Sequence, residues 1–265
     1  MQRARSWTAL LEQLYEGSWN PALQRYRSPY AFHGLTSIEH ELTTTLQRLA
    51  GAHENITGLE ISLIRNFRKY AHDQTPSSID SIWQWLAVAQ HHGLPTRLND
   101  WTFSPLVALH FATDTPADMD RDGSIWSVNF LRAKDLLPGQ LRRILDEERS
   151  DTFTVEMLGG IATLREFDAL ARDGGFLLFL EPPALDERIV NQAALFSVMP
   201  SPSDSLDEWL ATHPDLCRQV IVPAELKWEI RDKLDQANIT ERTLFPGLDG
   251  LSRSLARYYL PRVSD

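Results

Sequence analysis

The spacing of apolar residues predicts several amphipathic helices in the first part of the chain. Apolar side chains recur every three or four positions over residues 7–14, 59–71 and 79–87. Ser77 and Ser78 are candidate N-caps for the third of these helices, which is expected to stop at Gly93. A fourth helix is predicted to begin at Ser104-Pro105, and because its body is apolar on almost every face, we expect it to be buried.

Short apolar runs later in the chain predict strands, over residues 123–130, 176–180, 194–199 and 219–222. A helix is expected after Pro223, and a last helical stripe covers residues 248–258. Helices come first in this order and strands then mix with helices, which favours an α+β fold whose helical N-terminal part packs on a mixed or antiparallel sheet core. We expect a single domain over residues 1–265, with residues 1–28 as an N-terminal helical extension.

The formal net charge of −10 is concentrated in the middle of the chain. Residues 114–187 contain eight Lys or Arg and sixteen Asp or Glu, a net charge of −8, whereas residues 1–113 contain nine of each. We interpret the acidic segment as a solvated face with loops. An acidic protein is a poor non-specific binder of duplex nucleic acid, but the balanced N-terminal third leaves room for a local site for a dinucleotide or a single strand.

The composition excludes several classes of protein. The longest apolar runs are far shorter than the roughly 18–20 residues of a membrane span, so we expect no transmembrane segment. The N-terminus has no apolar stretch typical of a secretory signal. A lone cysteine, Cys217, excludes an internal disulfide and a cysteine-rich zinc site. We therefore expect a soluble, cytoplasmic protein with no membrane partner.

The segment 89–105 is rich in polar side chains, although it joins two helices that are predicted to be buried. One interpretation is a connector that bonds to itself, with Asp100 or Arg97 as cap and clamp; the other is the wall of a binding pocket. His91 and His92 are adjacent, point about 100° apart on a helix, and lack metal-ligand spacing, so we expect no metal. The common hydrolase, phosphate-loop and Rossmann motifs are absent from the sequence.

The same segment carries a resemblance to a known family. Residues 90–112 resemble the central signature of the FRG domain family, and residues 188–196 and 244–251 resemble its later elements. The Phe/Tyr-Arg-Gly motif of that family has its counterpart here in Phe32-His33-Gly34, with histidine at the middle position. The resemblance runs from about residue 30 to residue 258, and it implies no established activity.

The order of motifs is also similar to the ADP-ribosyltransferase fold. In that fold a His-Gly pair lies on a first strand, a hydroxyl or aromatic motif precedes a buried helix, and a Glu or Gln lies on a late strand. The corresponding positions here are His33-Gly34, residues 101–104 and Gln192. This resemblance implies an enzyme that consumes NAD as its substrate and modifies RNA, DNA or a protein. It further implies a toxin or antiphage defence effector, with an inhibitory antitoxin-like partner.

The second resemblance also assigns roles to individual residues. His33 would hold a ribose hydroxyl, Trp101 or Phe32 would stack on a ring, and Arg97 would pair with the pyrophosphate. The implied catalytic residues are His33, Thr102 and Gln192, and the implied NAD-binding residues are Phe32, Gly34, Arg97, Trp101 and Ser104. Because a glutamine amide does not titrate near neutral pH, Gln192 cannot be a general base. A nucleic-acid acceptor, Glu187 as the acid, or no catalysis at all remain open.

Two other functions are consistent with the same residues. The first is a module that binds a nucleotide or a nucleic-acid end in this pocket without performing chemistry. The second is a metal-independent nuclease that uses His91 or His92 as its acid or base.

Overall fold

An eight-stranded sheet organises the computed structural model, which describes residues 1–71, 80–171 and 175–261. In spatial order its strands are β1 (Gln2–Arg3), β10 (Cys217–Val222), β6 (Gly123–Asn129), β4 (Tyr30–Leu35), β5 (Asn99–Thr102), β9 (Ala194–Val198), β8 (Leu178–Glu181) and β7 (Phe153–Thr154). The two outermost pairs are parallel and the inner pairs are antiparallel. A separate hairpin consists of β2 (Trp19–Asn20) and β3 (Arg25–Tyr26).

Thirteen helices lie within these described ranges, so the prediction of a mixed α and β protein with a mixed sheet is confirmed. They are α1 (Trp7–Tyr15), α2 (Thr45–Ala50), α3 (Ile56–Ala71), α4 (Ile82–His91), α5 (Pro105–Phe111), α6 (Phe130–Asp135), α7 (Gly139–Glu148), α8 (Leu164–Asp168), α9 (Glu187–Asn191), α10 (Leu206–Ala211), α11 (Ala224–Gln236), α12 (Glu241–Leu244) and α13 (Leu248–Tyr258). Ser77 and Ser78 lie outside the described residues, and the N-cap of α4 is Ser81.

Several sequence expectations are corrected by the structure. Strands β1 to β4 precede α2, so helices do not come first, and β1 joins the main sheet beside β10. The predicted strand 176–180 begins at Leu178 instead. The acidic segment 114–187 contains α6 to α8 as well as loops, and Leu141 and Leu145 of α7 are buried in the core. The short helices lacked a periodic signal; α8, for example, depends on the side chain of Thr163 as its N-cap.

The sheet consists of two halves that meet at one residue pair. Strand β4 pairs with β6 at six positions, and β5 pairs with β9 at four. Between β4 and β5, however, the ladder contains only the pair Phe32 and Thr102. If the antiparallel ladder continued, Gly34 would lie opposite Asp100, but the strands diverge before that point. The sheet is therefore forked at its centre.

The hydrophobic core follows the same division. On one face of the sheet, a single cluster that includes Ala31 and Trp101 spans both halves. On the opposite face, Phe32 belongs to a cluster under α1, α5 and α11, whereas Phe196 belongs to another cluster that includes residues of α4, α7 and α8. Successive strand residues point to opposite faces, so this arrangement leaves a gap between the two clusters on the second face, at the fork.

Glycine at position 34 allows α5 to lie directly against β4. A Cβ atom at Gly34 would be 2.0 Å from the carbonyl oxygen of Ala108 and 2.9 Å from the amide nitrogen of Ala112. The expectation that Gly34 leaves room for a ligand is thus corrected, because the backbone of α5 occupies the space beside its missing side chain.

We therefore expect Gly34→Ala to destabilise the fold by about 3 kcal/mol, because neither backbone segment can move aside without breaking its hydrogen bonds. The measurement is the free energy of unfolding in denaturant. Gly139→Ala is the matched control, because a Cβ atom at Gly139 meets no atom within 4 Å. Its effect should stay within about 1 kcal/mol. Equal stability of the two variants would contradict the close contact.

Candidate functional site

A cavity of about 270 Å³ opens in the fork between β4 and β5. Its wall combines residues of both sheet halves with side chains from α4, α5 and α9. The lining residues are Phe32, His33, Gly34, Gln90, His91, Asp100, Trp101, Thr102, Ala108, Phe111, Arg188, Ile189, Gln192, Ala194 and Phe196. Since sites for drug-sized ligands have volumes of about 300–1,000 Å³, this cavity suits a ring or a sugar better than a whole dinucleotide.

His33 bridges the two diverging strands through its side chain. Its Nδ1 atom lies 2.6 Å from the carbonyl oxygen of Asp100. A carbonyl oxygen only accepts hydrogen bonds, so Nδ1 carries the proton. Burial lowers the pKa of the His33 imidazole below its usual range, and the ring is therefore neutral at pH 7. Nε2 of this neutral ring has a free lone pair, and it can accept a hydrogen bond from a ligand hydroxyl.

Asp100 places a carboxylate at the same junction. Its Oδ2 atom accepts a hydrogen bond of 2.8 Å from Nε2 of Gln90, whose Oε1 accepts one of 2.6 Å from Thr96. Asp100 is exposed to solvent, but it lines two cavities, where neighbouring protein atoms replace part of the water around its carboxylate. This desolvation raises the pKa of Asp100 above its usual range, and the hydrogen bond from Gln90 opposes the rise. The sequence alone indicates Asp100 only as a candidate cap, not as a residue of the site.

Thr102 and Gln192 line the cavity, but each uses a side-chain donor to hold the fold. The hydroxyl of Thr102 donates to the carbonyl oxygen of Gln192 at 2.7 Å. The amide of Gln192 donates to the carbonyl oxygen of Leu244 at 2.9 Å, which ties α9 to α12. Gln192 is the C-cap residue of α9 and lies two positions before β9, so the expectation that it lies on a strand is wrong.

The aromatic residues at the cavity differ in how much of each ring a ligand can reach. Phe32 has no exposed surface, and Trp101 is 4% exposed with its Nε1 donating to Ser197 at 2.8 Å. A ligand can therefore reach little of either ring, which corrects the expected stacking of Trp101 or Phe32 on a ring. Phe111 of α5 is half-buried and also lines it. No motif in the sequence indicated Phe111 as a binding residue.

Arg97 is buried outside the cavity, which corrects its expected role at a pyrophosphate. Its guanidinium bonds to both carboxylate oxygens of Glu60, to Oδ1 of Asp168 at 2.5 Å and to the carbonyl oxygen of Pro200 at 2.7 Å. These partners fix the chain just before β5. Ser104 is likewise outside the cavity, where its hydroxyl caps α5 by accepting from Val107.

Two further cavities adjoin the central one. A polar cavity of about 240 Å³ shares His33, Gly34, Gln90 and Asp100 with it. A larger cavity of about 590 Å³ lies on the other side, next to α9 and α13. His33 and Asp100 therefore stand between two compartments, and the central cavity is the middle part of a longer cleft.

The described residues were compared with two further kinds of feature, a metal-ion site and a membrane-spanning helix. Within residues 1–71, 80–171 and 175–261, no three His, Cys, Asp or Glu side chains are grouped so that they could hold a metal ion. None of the helices in these ranges has the length and apolar character needed to cross a bilayer.

A family model matches the part of the chain that contains β4 and β5. Residues 28–121 match the family model of the FRG domain. This range includes Phe32-His33-Gly34 and residues 90–112, and the predicted FRG resemblance is thereby confirmed. The later segments 188–196 and 244–251 lie outside the matched range, and their likeness to the family stays a prediction. Neither a curated protein nor a solved structure matches the chain.

The geometry predicts that Arg97 is a structural residue. Arg97→Met should lower the free energy of unfolding by about 3–5 kcal/mol, because it leaves the buried carboxylate of Glu60 without its partner. The double variant Glu60→Leu/Arg97→Met removes both buried charges and should lose less. Unchanged stability of Arg97→Met, measured by denaturant unfolding, would contradict this role.

The geometry also predicts the protonation state of His33. We expect a neutral ring at pH 7 with the proton on Nδ1 and a pKa below the usual 6.5. Nitrogen-15 NMR of the labelled imidazole distinguishes the two neutral tautomers, and a pH titration gives the pKa. A proton on Nε2 at pH 7 would rule out the acceptor role of that atom.

Proposed function

We propose that this protein is an NAD-consuming ADP-ribosyltransferase whose central cavity holds the nicotinamide ribose. The observation that carries the proposal is the placement of His33 and Asp100 at the fork of the sheet, on one cavity. The motifs that resemble the ADP-ribosyltransferase fold, His33-Gly34, Trp101-Thr102 and Gln192, all line that cavity. Ser104 does not, and Arg97 does not.

The chemistry needs a group that binds the ribose and a charge that stabilises the reaction centre. Cleavage of the bond between C1′ and the nicotinamide nitrogen develops positive charge on the sugar, as in glycoside hydrolysis, and a hydrogen bond to the ribose 2-hydroxyl strengthens in the transition state. Nε2 of His33 is suited to accept that hydrogen bond. The carboxylate of Asp100 lines the same cavity and is suited to stabilise the positive charge.

The complete step balances in atoms and charge. The C1′–N bond breaks, and nicotinamide leaves as a neutral molecule with the bonding electron pair. An oxygen or nitrogen of the acceptor then bonds to C1′ and loses a proton, which Asp100 can accept because it is a carboxylate. Asp100 thus supplies the acid or base function that Gln192 cannot. The proposed acceptor is a nucleic acid or a protein, as for a toxin or an antiphage effector.

A second candidate, a binding module without chemistry, is favoured by the bonds of Thr102 and Gln192. The donor groups of both side chains are engaged with backbone carbonyl oxygens, which leaves His33 and Asp100 as the reactive groups from the strands. Binding of the nucleotide would raise the melting temperature of such a module, and the nucleotide would be recovered intact.

The test is incubation of the purified protein with NAD, with and without cellular RNA and lysate, followed by mass spectrometry of free nicotinamide. We expect nicotinamide release by the wild type and a loss of at least about 100-fold in His33→Ala and in Asp100→Asn. His53→Ala is the matched control, because His53 is exposed and outside the three cavities.

Two results would contradict the proposal. One is intact NAD under all of these conditions, which favours the binding module. The other is full nicotinamide release by both variants at the fork, which would place the chemistry elsewhere. Denaturant unfolding of each variant shows whether a loss of release reflects a loss of fold.

A further inference from the structure

The 590 Å³ cavity beside the central one is lined by both arginines and carboxylates. It shares His91 and Arg188 with the central cavity, so the two are continuous. Its wall brings together α9, the segment after α12 and the start of α13. A ligand longer than the central cavity could therefore extend into this space.

Two arginines of the large cavity are held against one ring. The guanidinium carbons of Arg188 and Arg253 lie 5.1 and 5.3 Å from the centre of the Phe245 ring. Neither guanidinium forms an ion pair with any residue that the structure describes, and Arg188 makes only a long hydrogen bond of 3.5 Å to the carbonyl oxygen of His91. By contrast, Arg97 and Arg257 each bond to two carboxylates. The guanidinium N–H groups of Arg188 and Arg253 are thus available to bind a ligand.

Carboxylates in the same wall limit the kinds of ligand that this cavity can bind. Asp186 is engaged, because it caps α9 and lies 2.8 Å from Nε2 of His91. Glu187 and Asp249 have no hydrogen-bond or ion-pair partner among the described residues. A simple anion would be repelled by these two charges, whereas a ligand with both phosphates and hydroxyl groups could use all four. Acidic side chains commonly bind ribose hydroxyls, and arginines bind phosphates through paired donors.

We propose that this cavity binds an adenosine phosphate, with Arg188 and Arg253 donating to its phosphates and Glu187 and Asp249 accepting from its ribose hydroxyls. The inference rests on the proposed function in one respect, because it assigns the cavity to the adenosine half of NAD. The continuity at Arg188 then places the nicotinamide half in the central cavity. Arg188 and Arg253 then have the phosphate-binding role that the resemblance to the ADP-ribosyltransferase fold implied for Arg97.

The first experiment measures binding of AMP and of inorganic pyrophosphate by calorimetry. Arg253→Gln should weaken AMP binding at least tenfold, whereas Arg143→Gln should leave it unchanged, because Arg143 is exposed on α7 and lines none of the three cavities. The double variant Glu187→Gln/Asp249→Asn should weaken AMP binding but not pyrophosphate binding. No AMP binding by the wild type, or equal binding by Arg253→Gln, would overturn the inference.

The second experiment separates this inference from the proposed function. Nicotinamide release is compared for NAD and for nicotinamide mononucleotide, which lacks the adenosine half. We expect Arg253→Gln to raise KM for NAD at least tenfold and to leave KM for the mononucleotide unchanged. An unchanged KM for NAD would overturn the inference while the proposed function stands. AMP binding that depends on Arg253, in a protein that leaves NAD intact, would support the site and reject the enzyme.

Discussion

One backbone pair, between Phe32 and Thr102, is the constraint on which the candidate site depends. It joins two sheet halves that share a core on one face but have separate cores on the other. The strands diverge beyond it, and the side chain of His33 spans the gap to the backbone of Asp100. A continuous ladder at this point would have closed the gap between β4 and β5 with backbone hydrogen bonds.

Strands β4 and β5 are each held in place by contacts with neighbouring helices. On the β4 side, Gly34 allows the backbone of α5 to approach directly. On the β5 side, Arg97 is bonded to Glu60 of α3 and Asp168 of α8 immediately before the strand begins. Side chains placed on such fixed elements are held in position without help from a ligand, which is what a binding or catalytic site requires.

The sequence predicted the parts of this architecture that have a local signal. The helices α1, α3 and α5 follow from periodicity and capping. His33, Trp101, Thr102 and Gln192, which the sequence indicates as site residues, line one cavity, and their roles stay predictions. Strand β5 could not be predicted, because Asn99, Asp100 and Thr102 are polar and the strand lacks the alternation of apolar and polar residues that indicates a strand. The role of Arg97 depends on partners 37 and 71 residues away in sequence, which no local pattern reveals. No local pattern indicates the place of Asp100 in the cavity either, because the cavity forms only when both strands are in place.

A crystal structure of the protein with ADP-ribose would show directly where the nucleotide binds. We expect the ribose in the fork of the sheet, with a hydroxyl within about 3 Å of Nε2 of His33, a normal hydrogen-bond distance. We also expect the adenosine phosphate to lie between Arg188 and Arg253. Nucleotide bound elsewhere, with only water in the cavity between β4 and β5, would contradict both the proposed function and the adenosine site.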